Sequence, residues 1–380
     1  MANYSRLLDL KYEIQKKSLF LFGPRQTGKT FLLKKTFPDA PFYNLLLADT
    51  FLKISQRPQI IREELLALAK RPRVVIIDEI QKLPVMLDEV QDLIEQGYHF
   101  ILTGSSARKL KRGAGNLLGG RARTKHLFPL VTAEIPKFDL MRLLNYGAIP
   151  SIYDSGEPEA DLESYAGNYL KEEIQAEGLI RKIENFSRFL QVAALSNAEL
   201  INFANIGSDA GVPARSVAEY FKILEDTLLG YLLEPYTKTK QRKAITTAKF
   251  YFFDVGVCNV LAGRKDIRPK TELFGKVLEH FIFTELKAFC HYYHDQRPLG
   301  FWRSKSGYEV DFLLADEVAI EVKAAGMITE RHCTGLKALG EELNFKKKII
   351  VSLDQSPRKM RDIEILPVKN FLHKLWNKEI

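Results

Sequence analysis

Eight consecutive residues, Gly23-Pro24-Arg25-Gln26-Thr27-Gly28-Lys29-Thr30, fit the pattern G-x-x-x-x-G-K-[ST] of a phosphate-binding loop. The spacing has a chemical reason. Glycine lets the backbone curl so that successive N–H groups converge on phosphate oxygens, and a helix starting at the loop's end points its positive dipole end at them. Lys29 would reach the β- and γ-phosphates of ATP, and the Thr30 hydroxyl would hold Mg2+. Downstream, Arg73-Val74-Val75-Ile76-Ile77-Asp78-Glu79 is an apolar β-branched run that ends in two acids, a Walker B pattern. Asp78 would orient the Mg2+ shell, and Glu79 would polarise the attacking water. Further on, the apolar run His99-Phe100-Ile101-Leu102 ends in Thr103-Gly104-Ser105-Ser106, where a hydroxyl could bond the γ-phosphate or the water. Thr103 and Ser105 are both candidates, and the sequence does not choose between them.

A second set of chemical residues lies near the other end of the chain. Asp311 sits in Tyr308–Leu314, and Glu321-x-Lys323 closes Val318–Lys323; both segments read as strands. Residues i and i+2 of a strand share a face, so Glu321 and Lys323 project together. Two carboxylates, Asp311 and Glu321, would hold Mg2+, and Lys323 would activate water or stabilise charge at a phosphate. Glu279 borders the apolar stripe of a helix over 275–286, formed by Leu278, Phe281, Ile282 and Leu286. This order of helix-Glu, strand-Asp and strand-Glu-x-Lys resembles the PD-(D/E)XK nucleases. The resemblance implies a restriction-endonuclease-like α/β domain, a fold that either cleaves or is kept for binding. The plainer alternative is three charges on edge strands making an ion pair.

The elements that must position these groups are legible from periodicity. Ser18–Phe22 reads as a buried strand before the loop, and Phe31 onward as the helix after it. Residues 41–47 read as a strand, 59–70 and 85–96 as helices, and 125–130 as the last strand of the module. A basic stretch carries Arg108, Lys109, Lys111, Arg112, Arg121 and Arg123. Arg121, preceded by Gly119-Gly120, is the candidate to neutralise transition-state charge, in cis or on a neighbouring subunit. Exposed charges in a loop are the alternative. Residues 132–190 read as a helix-rich connection. Helical segments at 198–207 and 212–224 around a tight turn fit a helix-turn-helix. Strands at 231–235 and 249–253 flank a basic loop. Together these predict a winged helix in which Arg215, Ser216, Lys238, Lys240, Arg242 and Lys243 could meet DNA. Winged helices also serve as protein-interaction domains.

The Gly23–Thr30, Val74–Glu79 and Ile101–Ser106 motifs, with Gly119–Arg123 and Phe128-Pro129-Leu130, resemble the prokaryotic AAA-family ATPases that carry a C-terminal domain of unknown function. The resemblance continues over most of the chain. It implies a nucleotide-dependent module acting on or with nucleic acid, and a nucleotide-dependent homo-oligomer. The expected fold class is α/β. Residues 1–135 would be an AAA-type P-loop domain with a parallel sheet, 136–195 a helical lid, 196–255 a winged helix and 256–380 the nuclease-like domain.

Bulk properties agree with this and exclude other classes. The 380 residues are 46% hydrophobic and 27% charged, as in globular proteins. No apolar run approaches the roughly 18 residues that cross a bilayer, and no secretory signal is visible, so a cytoplasmic protein without a membrane partner is expected. Cys258, Cys290 and Cys333 are scattered, which argues against a disulfide framework or a zinc site. A net charge of +9 permits a nucleic-acid partner without requiring one.

Overall fold

The structure is a computed structural model that describes residues 4–105, 108, 110, 118–169, 183–239 and 241–380. The chain divides into two units, one built from Ser5–Pro129 with Asp226–Leu228, the other from Leu130–Glu225 and Leu229–Ile380 with the N-terminal residues to Tyr4.

The first unit holds a five-stranded sheet of β1 (Ser18–Phe22), β2 (Phe42–Asn44), β3 (Val75–Asp78), β4 (Phe100–Gly104) and β5 (Ala122–His126), in the order β2-β3-β4-β1-β5. Every pairing is parallel. Strands β1, β3 and β4 are buried along their whole length, which is why they read as continuous apolar runs instead of alternating ones. Their Phe20, Phe22, Val75, Ile77, Phe100 and Leu102 form the core with Leu87, Val90 and Leu93 of the helix Met86–Glu95. Because β4 lies between β1 and β3, the C-terminal ends of three strands stand side by side. The phosphate-loop residues, Asp78-Glu79 and Thr103–Ser105 therefore meet at the edge where open α/β sheets bind ligands. The expected strand over 41–47 is only Phe42–Asn44. The last strand ends at His126, earlier than expected, because its partner β1 ends at Phe22, where the phosphate loop begins.

The second unit holds an eight-stranded sheet of β6 (Gly230–Pro235), β7 (Lys249–Phe252), β8 (Leu299–Arg303), β9 (Glu309–Leu314), β10 (Val318–Lys323), β11 (Lys347–Ser352), β12 (Arg358–Met360) and β13 (Ile363–Pro367). Its order is β12-β13-β11-β10-β9-β8-β6-β7. Strands β8, β9 and β10 form an antiparallel meander. The helix Thr334–Gly340 lies in the crossover from β10 to its parallel neighbour β11. The helix Glu272–Tyr292 packs on β8 and β10.

The expected wing is part of this sheet. The β6–β7 hairpin is antiparallel within itself, and β6 pairs in parallel with β8 through Glu234 and Pro235. An expected boundary at 255/256 thus cuts a continuous sheet. The boundary at 195/196 cuts a continuous core, since Phe186, Phe189 and Leu190 of the helix Ile183–Leu195 pack with Phe221, Phe250 and Phe252.

Two helices, Phe203–Ala210 and Ala214–Asp226, lie in the segment expected to be a helix-turn-helix, with Gly211 in the left-handed region at φ 65° closing the first. That helix starts at Phe203, not near Ala198. The Ala198 and Ile201 N–H groups bond the carbonyls of Phe250 and Ala248, and the Asn202 side chain caps the helix by accepting from Ala204 and Asn205. All three cysteines are free. Among the described residues no helix is long and apolar enough to cross a membrane.

Candidate functional site

Two glycines shape the phosphate loop. A Cβ on Gly23 would lie 2.3 Å from the Leu127 carbonyl oxygen, and Gly28 has φ 91° at the N-cap of the helix Lys29–Thr36. Lys29 is buried, and its ammonium donates to the carbonyls of Gly23 at 2.6 Å and Pro24 at 3.0 Å. The Thr27 hydroxyl also bonds Pro24 O, at 2.8 Å. Arg25 is half-buried, and Gln26 is exposed with φ 60°. Arg6, which sequence reasoning missed, ties the loop down by donating to Thr27 O at 2.7 Å and Phe128 O at 2.6 Å.

Across from the loop, the Thr30 hydroxyl donates to Asp78 Oδ2 at 2.8 Å. The Thr103 hydroxyl donates to Asp78 Oδ1 and accepts the Glu79 N–H at 3.2 Å. Thr103 thus fixes Asp78, whereas Ser105 faces a different partner. Gln81 Nε2 donates to Glu79 Oε2 at 2.5 Å and lies 3.4 Å from Ser105 Oγ. Glu79 has φ 62°, a left-handed conformation that costs a residue with a Cβ about 1–3 kcal/mol and that gathers at functional sites. A Cβ on Gly104 would lie 2.4 Å from Gln81 Oε1, so glycine there leaves room for the amide. These residues fit ATP and Mg2+. The loop is a glycine cradle with a buried lysine, and a hydroxyl and a carboxylate are already in contact where a hard cation takes oxygen ligands.

Arg121 does not join this group. In the parallel register Ser18 pairs with Ala122 and Phe22 with His126, so Arg121 lies at the end of the sheet opposite the loop. Its guanidinium pairs with Glu95 at 2.8 Å. A role for it in cis is ruled out by strand direction. Ser106, Lys109, Lys111 and Arg112 lie outside the described residues.

The second unit gathers Glu279, Asp311, Glu321 and Lys323. Asp311 and Glu321 are buried on adjacent strands. Asp311 Oδ2 accepts the Val322 N–H at 2.7 Å, and Glu321 Oε1 pairs with Lys323. Burial, and next the charge of Glu279, pushes Asp311 up to about 7. Burial and then Asp311 push Glu321 well above the usual carboxylate range. Burial alone would lower Lys323, but Glu321 and Asp311 outweigh it and raise it.

Lys249 on β7 joins them, a residue that sequence reasoning missed. Its side chain is only 3% exposed, and its ammonium lies 3.0 Å from Glu279 Oε1 and 2.5 Å from Glu309 Oε1. The Tyr251 hydroxyl donates to the same Glu279 oxygen at 2.6 Å. A pocket of about 330 Å³ opens beside them, lined by Lys249, Lys276, Glu279, Arg303 and Glu309. Mg2+ was expected on Asp311 and Glu321; among the described residues no group of three His, Cys, Asp or Glu side chains is placed to hold a metal ion. All four residues of β7 are buried, so no alternation along the strand marks Lys249.

The described residues expected to meet DNA differ in burial and pairing. Arg215 is exposed and 3.6 Å from Glu219, and Ser216 is half-buried. Lys238 and Lys243 are exposed. Arg242 is committed elsewhere, to Glu341 and the Ala338 carbonyl, with its own N–H on Glu342. It is therefore not free for phosphate. Lys240 lies outside the described residues.

Comparison with known proteins divides the chain in three. Residues 15–136 match a family described as AAA domain, residues 137–268 a Domain of unknown function (DUF8612), and residues 274–371 a Domain of unknown function (DUF4143). An uncharacterized protein of Methanocaldococcus jannaschii is 23% identical over 354 residues, covering 83% of this chain and 77% of that protein. A solved structure, a Signal Transduction ATPase with Numerous Domains (STAND) protein with a tetratricopeptide repeat sensor from Pyrococcus horikoshii, aligns with 75% of this chain at 15% identity and a TM-score of 0.23. The chain spans 47% of that protein's length. The loop geometry and the match over residues 15–136 agree: the first unit is an AAA-type P-loop NTPase domain.

Proposed function

We propose that the protein is a Mg2+-dependent ATPase whose nucleotide state controls how its second unit engages DNA. One observation carries the ATPase reading: Thr30 and Asp78 are 2.8 Å apart at the mouth of the loop, with Glu79 held next to them. The loop N–H groups and Lys29 would bind the phosphates, and Thr30 and Asp78 would hold the ion, which supplies charge neutralisation at the phosphates. Glu79 would accept a proton from the attacking water. Such general-base groups contribute about 10²–10⁴-fold to rate. Purified full-length protein should release phosphate from ATP. Glu79→Gln should lower kcat by roughly 10²-fold or more while keeping nucleotide binding, and Lys29→Ala should lose binding. Hydrolysis unchanged in Glu79→Gln would overturn the reading.

The DNA-engaging part rests on the helix-turn-helix and on the order of helix-Glu, strand-Asp and strand-Glu-x-Lys. A second reading, that this unit holds DNA or a protein without cutting, is favoured by the ion pairing of Lys249 with Glu279. Supercoiled and linear DNA incubated with Mg2+ or Mn2+, with and without ATP, decides between them. Cutting by wild type that is lost in Lys323→Ala makes the protein a nuclease; intact DNA with a nucleotide-dependent mobility shift makes it a non-cleaving switch.

A further inference from the structure

We propose that Lys249 is a built-in counter-cation of the Glu279–Asp311–Glu321 centre, so that the folded site takes no divalent metal ion and would take one once Lys249 is removed. The inference rests on the nuclease-like reading of the second unit and specifies its state.

The geometry carries the argument. Lys249 reaches the centre from β7, a strand outside the meander that supplies Asp311, Glu321 and Lys323. Its ammonium contacts Glu279 and Glu309 together, and it is almost fully buried there. A buried ammonium is retained only where charges and hydrogen bonds repay its desolvation. Two carboxylates and the Tyr251 hydroxyl surround it here: Tyr251 donates to Glu279 and so fixes the carboxylate that Lys249 needs.

Charge counting points the same way. Four acids, Glu279, Glu309, Asp311 and Glu321, meet Lys249, Lys323 and Arg303, the last 3.4 Å from Glu309. At most one negative charge is left over, whereas a hard divalent ion is drawn by an excess of carboxylate. One oxygen of each acid is committed as well. Glu279 Oε1 takes two donors, Asp311 Oδ2 takes the Val322 N–H, and Glu321 Oε1 takes Lys323. Glu321 Oε2 is buried without a hydrogen-bond partner, and Lys323 already sits on the other oxygen of that carboxylate.

The test is Mn2+ binding to nucleotide-free full-length protein, read by electron paramagnetic resonance. An Asp78→Asn background silences the phosphate-loop site. That background should bind no Mn2+ that a further Glu321→Gln removes. Adding Lys249→Met should create a Mn2+ site, and Glu321→Gln should abolish it. Mn2+ binding in the Asp78→Asn background that Glu321→Gln removes overturns the proposal, and so does a folded Lys249→Met protein that binds none. If Lys249→Met does not fold, the comparison with and without Glu321→Gln still decides whether the native centre takes metal. ATP hydrolysis by the Lys249→Met single variant should stay at the wild-type rate, so failure here is separable from failure of the ATPase reading.

Discussion

Glu79 can work as a base only if its carboxylate is aimed, and its aim is set by one amide. Gln81 lies two residues on, in the short 3-10 turn Ile80–Lys82, and donates to Glu79 Oε2 at 2.5 Å. A hydrogen bond to a charged group is worth about 1.5–3 kcal/mol, or roughly 10–100-fold in a rate. Gln81→Leu should therefore lower kcat for ATP by about that factor and leave the nucleotide Kd unchanged. A rise in kcat would mean that Gln81 holds Glu79 back rather than aiming it. No sequence pattern points to Gln81, because its role depends on the left-handed turn at Glu79 that folds the amide back. That Lys29, Thr30, Asp78 and Glu79 would come together was legible, because such chemistry restricts residue type and spacing within short segments. The place of Arg121 follows from strand direction. It precedes a parallel strand, and ligands gather where such strands end.

Two of the three acids on the helix Glu272–Tyr292 have different fates. Glu279 is paired with Lys249, whereas Glu285 is buried among neutral donors, accepting from Thr132 N–H at 2.9 Å, the Thr132 hydroxyl at 2.8 Å and Trp376 Nε1 at 2.6 Å. Burial outweighs these bonds and pushes Glu285 up from 4.5 to about 7. Between those values the folded chain keeps a proton that the unfolded chain has released. Stability from this group is therefore whole below pH 4.5 and falls as pH rises to about 7. His280, pushed down to about 4 by burial, acts in the opposite sense, costing stability as pH falls from 6.5. Glu285→Gln should lose part of the pH slope, so its denaturation midpoint relative to wild type should be higher at pH 8 than at pH 5. A constant difference would refute the assignment. Packing sets a second limit, at Gly335 of the helix Thr334–Gly340, where a Cβ would lie 1.9 Å from the Glu309 carbonyl oxygen. Gly335→Ala should cost about 1–3 kcal/mol, read as a lower urea midpoint. The helices and strands here were largely legible from their periods. The parallel pairing of β6 with β8 was not, because it joins residues far apart in sequence and leaves no local pattern.

Two units with separate cores give the whole chain two cooperative bodies, and the proposed function requires them to communicate. Ligand that binds only the native state stabilises by RT ln(1 + [L]/Kd), about 2.7 kcal/mol at a hundredfold excess over Kd. Calorimetry of the full chain should show two transitions. A slowly hydrolysed ATP analogue with Mg2+ should raise the one belonging to the phosphate-loop unit, and Lys29→Ala should cancel that rise. Coupling adds a further consequence. If nucleotide changes the affinity of the second unit for DNA, DNA must change the affinity for nucleotide by the same factor. The second transition should then shift with nucleotide only when DNA is present, or with both ligands more than the sum of each. Shifts confined to one unit under every condition would leave an ATPase joined to a binding module without communication, and the switch reading would fall. The same samples test assembly. A nucleotide-dependent homo-oligomer makes the first transition depend on protein concentration when the analogue is bound. It would also give Arg121, remote from its own loop, a neighbour's site to reach. Loss of that concentration dependence in Arg121→Ala would place the residue in trans. A transition independent of concentration, with light scattering showing a monomer with and without nucleotide, would leave Arg121 as the surface partner of Glu95 that its 2.8 Å ion pair makes it.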